Sequence, residues 1–117
     1  MALQGFYQKN TGRLGESVIG VNQDIINFSG SGDQTVLPAI AGRKIQVLFI
    51  VFILGGASNI TLKSGSNTLS GQMNFAANQG MIIDGTDVDI ETNIGEAFII
   101  NSSSVVQVGG WVKWRPN

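Results

Sequence analysis

The sequence predicts an all-β protein, an antiparallel two-sheet sandwich behind an extended N-terminal arm, and three observations carry that prediction. Sixteen glycines and dense Ser, Asn and Thr clusters interrupt the 117 residues at intervals of about eight to twelve positions, the spacing of sandwiches and barrels. The apolar segments between the breaks are short and lack helical periodicity. Two segments alternate with a period of two. Val106, Val108, Val112 and Trp114 share one face against Gln107, Trp111, Lys113 and Arg115, and Ile60 and Leu62 alternate with Thr61 and Lys63.

Taken in order, the first fifteen residues are polar and Gly-rich, with Phe6, Tyr7, Lys9 and Arg13 scattered among them and neither alternation nor helix caps. Residues 1–22 therefore read as the arm and residues 23–117 as one domain, a size suited to one core. Strands are expected at 17–21, 24–29, 34–39, 43–54, 59–64, 72–76, 81–83, 97–101 and 105–115. Eight or nine strands are enough for a jelly roll. Turns are expected at Gly30-Ser31-Gly32-Asp33, Gly55-Gly56, Ser64-Gly65-Ser66-Asn67 and Asp84-Gly85, whose residues supply the positive φ that β-branched neighbours resist. Pro38 and Pro116 fall near strand ends, where a missing donor costs little.

The run from Ile45 to Leu54, IQVLFIVFIL, departs from alternation. Ile45, Val47, Phe49, Val51 and Ile53 form one face; Gln46, Leu48, Ile50, Phe52 and Leu54 form the other. A sandwich strand normally buries only one face. Leaving three large side chains in water forgoes roughly 1.5 to 3 kcal/mol each, so something covers Leu48, Ile50 and Phe52. The candidates are the chain's own arm or a long loop, a neighbouring copy packed sheet against sheet, or a central strand in an unusual topology or a buried helix segment, which periodicity alone does not separate. The neighbouring copy places Leu48, Ile50, Phe52 and Trp111 at a subunit interface.

Charge and chemistry narrow the function. Charged residues make up 13% of the chain, with a net charge of −1, which supplies no basic stripe for phosphates and argues against a nucleic-acid partner. The long apolar run is shorter than the ~20 residues that span a bilayer, so no membrane partner is expected. The chain has no Cys and no His, so the usual nucleophile–base pairs and thiolate metal sites are absent and a non-enzyme without cofactors is expected. Five of the eight carboxylates, Asp84, Asp87, Asp89, Glu91 and Glu96, lie between Ser64 and Val112, where there is no Lys or Arg. Extended, Asp87, Asp89 and Glu91 share a side and make weak candidates for a Ca²⁺ site; a solvated acidic loop is the simpler reading. Trp111, Trp114 and Tyr7 are candidates for a sugar-binding platform.

From about Gln34 to Trp114 the sequence resembles a small β module of tailed-phage virion proteins. The ordered pieces are Thr35-Val36-Leu37-Pro38-Ala39 and Ala41-Gly42-Arg43-Lys44-Ile45-Gln46-Val47, leading into the apolar strand. Asn59-Ile60-Thr61-Leu62-Lys63-Ser64-Gly65, Leu69-Ser70-Gly71-Gln72-Met73 and Ala76-Ala77-Asn78-Gln79-Gly80-Met81 follow. Thr92 to Ala97, Phe98-Ile99-Ile100-Asn101 and Val108-Gly109-Gly110-Trp111-Val112 close the pattern. The resemblance implies a jelly-roll-like sandwich, assembled as a homotrimer on the virion surface. Its implied role is head decoration, stabilising the capsid with no catalysis; the alternative is a tail-fibre, receptor- or carbohydrate-binding module. The acidic stretch from Asp84 to Glu91 departs from the short apolar connection expected there. The arm lies outside the resemblance, and Phe6, Tyr7, Lys9 and Arg13, its large or cationic side chains, are the expected anchors on the major capsid protein or another virion protein.

Overall fold

β-branched and aromatic residues between Gly-rich breaks form eight antiparallel strands in the computed structural model, which describes residues 20–85 and 89–117. They are β1 (Asn22–Leu37), β2 (Ile45–Leu54), β3 (Ser58–Ser64), β4 (Asn67–Thr68), β5 (Met73–Phe75), β6 (Gly80–Asp84), β7 (Ile90–Glu91) and β8 (Phe98–Pro116). There is no helix among the described residues. The arm anchors Phe6, Tyr7, Lys9 and Arg13 lie outside the described residues, as do residues 17–19 of the first expected strand; Gly20 and Val21 precede β1.

Two pairs of expected strands are each one long strand. β1 runs through Gly30-Ser31-Gly32-Asp33, where a turn was expected. The same residues make an irregularity inside the strand: register breaks between Gly30 and Gly32, and Gly32 takes φ +84°. A residue that permits a tight turn also permits a bulge. β8 likewise runs unbroken through Ser102-Ser103-Ser104. Here Ser103, Ser104 and Val105 of β8 stand against Ser31 alone of β1, which bends the ribbon.

The bend divides the sheet into two halves that share the β1–β8 ribbon. Before it, residues 98–102 of β8 pair with β3, which also carries β4 and β5. After it, residues 108–116 of β8 pair with β2, which carries β6 and β7 on its far edge. At the change of partner, buried hydroxyls replace backbone ladder bonds. Ser58 and Ser102 share a 2.8 Å hydrogen bond, the Ser102 hydroxyl donates to the Ser104 carbonyl at 2.8 Å, and the Ser104 N–H donates to Ser58 at 3.1 Å. Buried polar groups satisfied in this way cost little.

One face of both halves feeds a single apolar cluster. Ile26, Ile50, Phe52, Leu54, Val108, Val112 and Trp114 come from one half and Leu37, Ile60, Leu62, Phe98 and Ile100 from the other. Val108, Val112 and Trp114 are buried and Gln107, Lys113 and Arg115 exposed, as alternation predicts. The Trp114 indole N–H donates to Asp24 at 2.7 Å at the rim of the cluster.

β2 corrects the strict alternation assumed from sequence. Val47 pairs with Trp114 and Phe49 with Lys113, so Leu48 is an extra residue, a bulge. One extra residue exchanges the faces of everything beyond it. The interior set is Ile45 and Val47, then Ile50, Phe52 and Leu54; Phe49, Val51 and Ile53 turn outward. The bulge is held from the far edge: the Gly85 N–H donates to the Leu48 carbonyl at 2.7 Å, and a Cβ on Gly85 would run into the Val47 carbonyl oxygen.

Candidate functional site: the outer face of the β1–β8–β2–β6 half

The bulge brings apolar side chains to the outer face. Ile25 of β1 stands opposite Trp111 of β8, Trp111 opposite Val51 of β2, and Val51 opposite Ile82 of β6. Four strands thus contribute one apolar row. Phe49 joins it by stacking on Trp111, ring centroids 5.0 Å apart and planes at 21°, a geometry favourable beyond the area it covers. Ile53 adds to it from the next row, between Gly109 and Gly80. Ile25 is 78% exposed, Ile82 69%, Ile53 56% and Trp111 36%.

Polar groups bound this stripe. On one side the Gln107 side-chain amide donates to Asn27 at 2.6 Å. On the other lie Lys113 and Arg115, the latter donating to Gln46 at 2.9 Å. An apolar centre within a polar rim is the anatomy of a protein interface, and contiguous apolar exposure of this size marks interaction surfaces.

Of the four residues expected at a subunit interface, Trp111 lies in this stripe. Ile50 and Phe52 do not: both are 0% exposed in the chain's own core, because the bulge turns them inward. Leu48 is the bulged residue itself and is half-buried. Phe49, Val51 and Ile53 take the outward places, with Ile25 and Ile82 joining from segments whose strand period alone carried no sign of it.

Trp111 and Trp114 lie on opposite faces of β8, Trp114 being 9% exposed, so the two tryptophans form no common sugar platform; Tyr7 lies outside the described residues.

The acidic stretch is dispersed. Glu91 ties down its surroundings, accepting from the Asn117 side chain at 2.6 Å and lying 3.7 Å from the Lys44 ammonium. Asp89 borders an apolar cleft of about 290 Å³ lined by Leu62, Leu69, Met73, Met81, Ile83 and Ile90. Asp84 ends β6, and Asp87 lies outside the described residues. Among the described residues no group of three or more His, Cys, Asp or Glu is placed to hold a metal ion.

Two other carboxylates pin the half that carries β3. Asp33 accepts from Asn101 at 2.8 Å and from Lys63 at 3.0 Å, and these bonds, Asn101 first, lower its pKa. Glu96 accepts from Ser64 at 2.6 Å, Asn93 at 3.0 Å and Asn67 at 3.4 Å; the Ser64 bond contributes most to lowering its pKa. Both groups are ionised more readily folded than unfolded. Their stabilisation is therefore present above the ordinary carboxylate range and is lost as pH falls below about 4.5. A variant carrying Asp33→Asn and Glu96→Gln is expected to melt lower than the parent at pH 7, with the gap narrowing as pH falls below the ordinary carboxylate range, which thermal melts from neutral to acid pH measure.

No family model, curated protein or solved structure matches the chain. The fold and the outer face define a class: an all-β antiparallel protein with an apolar stripe bounded by polar groups across one half of its sheet.

Proposed function

We propose that this chain is a non-enzymatic structural protein of a tailed-phage virion surface, a head-decoration protein that works as an assembly of its own copies. The two halves of the sheet act as the layers of a jelly-roll-type sandwich. The residues ahead of β1 serve as an arm, with Phe6, Tyr7, Lys9 and Arg13 contacting the major capsid protein. Several weak arm contacts on one assembly reinforce one another through effective concentration. The resemblance to phage virion modules supplies the setting and implies three copies.

The observation that carries assembly is the outer stripe. Four large apolar side chains between 36% and 78% exposed on adjoining strands are costly to leave in water, and self-association removes that cost. The purified chain is expected to have a mass in light scattering, at micromolar concentration, that is a multiple of 12.4 kDa. Ile82→Lys, at a 69% exposed position, should leave folding intact to within about 0.5 kcal/mol and bring the mass to that of one chain. A parent protein that is already a single chain overturns the assembly reading.

A further inference from the structure

Resting on the assembly part of that reading, with a pair in place of the three copies the resemblance implies, we infer that the outer stripe is built for a second copy of this chain related by a twofold axis lying along the strands, above the line between β8 and β2. Such a half-turn sets β8 over the partner's β2 and β1 over the partner's β6 while each cross-strand row stays over itself.

Next to the axis, on β8 and β2, large side chains then face smaller ones. Trp111 comes over the partner's Val51, and Ile53 over the partner's Gly109, because each pair occupies one row of the β8–β2 ladder. Gly109 offers a notch: a Cβ built on it meets no atom within 4 Å, so an incoming side chain finds open space. Ile25 comes over the partner's Ile82 at the edges, where the stripe is most exposed. Lys113 comes over the partner's Phe49, ammonium against an aromatic ring that already stacks on Trp111. A half-turn about an axis across the strands and through the Trp111 row would instead lay β8 on β8 and set Trp111 against its own copy; moved between rows, that axis would bring Trp111 over the partner's Gly109, and Ile53→Ala would then give no relief to Gly109→Ile. Sheets packed about 10 Å apart need side chains of facing rows to interdigitate, and reversing the row order Ile25, Trp111, Val51, Ile82 places Trp111 over Val51.

The area also fits. From their fractional exposures, Ile25, Ile53, Ile82 and Trp111 offer on the order of 500 Å² of apolar surface, close to the apolar share of the roughly 800 Å² per partner in a stable interface. The bounding Gln107–Asn27 and Arg115–Gln46 pairs keep their hydrogen bonds at the rim, and Lys113, the cation the contact covers, lies against the partner's Phe49 ring.

The test fills the notch and then relieves it. Gly109→Ile is expected to fold as the parent does, by circular dichroism and thermal melting, and to dimerise on the order of a hundredfold more weakly in sedimentation equilibrium. Adding Ile53→Ala to Gly109→Ile should restore dimerisation to within about tenfold of the parent. Should Gly109→Ile fail to fold, Ile25→Lys combined with Ile82→Glu serves instead, since both positions are exposed: the pair should dimerise, and either substitution alone should not. A parent protein of two chains whose affinity ignores both sets of variants overturns the twofold placement and leaves assembly standing. A parent of three chains overturns the inference and supports the trimer the resemblance implies. A single chain overturns both readings.

Discussion

Phe52→Ala is expected to lower the unfolding free energy by about 4 kcal/mol in urea titrations, the range for emptying a buried aromatic site. Its neighbour Ile53→Ala should cost only about 1 kcal/mol, the scale of lost strand propensity at a surface position. The two side chains are adjacent on β2 and opposite in fate. Phe52 is 0% exposed and meets Phe75 edge to face with ring centroids 5.8 Å apart, whereas Ile53 is 56% exposed. Against a total stability of about 5 to 15 kcal/mol, the Phe52 loss is large enough to leave a marginal fold. The comparison tests the bulge at Leu48 directly, because without it Ile53 would continue the face of Ile45 and Val47 into the core and Phe52 would point out. Equal losses, or losses in the reverse order, would place the phase change elsewhere. At the proposed interface the order inverts: Ile53→Ala should weaken association while barely affecting the fold of the single chain.

Where period two holds, the sequence is a sound guide. The alternating faces around Trp111 and Trp114, the Ile60 and Leu62 pattern and the turn at Gly65, with its φ of +55°, follow from local chemistry. The two long strands were not legible, because Gly30-Ser31-Gly32 and Ser102-Ser103-Ser104 have the composition of turns. What keeps them extended is non-local: the partner strand across the Gly32 irregularity in one case, the hydroxyl bonds to Ser58 in the other. The β2 bulge was hidden for the same reason. Ile45 to Leu54 is apolar at nearly every position, so its composition carries no phase, and the residue that anchors the bulge, Gly85, lies far along the chain. That the strand has two apolar faces was legible; which residues form the outer one depended on a contact between distant segments.

Gly110→Ala is expected to destabilise the fold by about 3 kcal/mol, the scale of a backbone forced apart by added volume, while Gly109→Ala changes stability by no more than about 0.5 kcal/mol. Gly110 faces inward in the row of Ile26, Phe52 and Met81. A Cβ there would run into the Val51 carbonyl oxygen and come within 2.8 Å of the Phe52 Cα. These are backbone atoms of a central strand, so no side-chain rotation relieves the contact and β8 must move away from β2. Gly109 faces the other way, with nothing within 4 Å of the added atom. Thermal melts of the two variants therefore separate two uses of glycine in one dipeptide. Gly110 permits the close approach of strands that the single chain needs to fold, and Gly109 leaves the space that a second chain is proposed to fill. A Gly110→Ala protein as stable as the parent would show that β8 and β2 can part without loss, and the facing rows on their outer side would then lose the fixed spacing on which the match between copies depends.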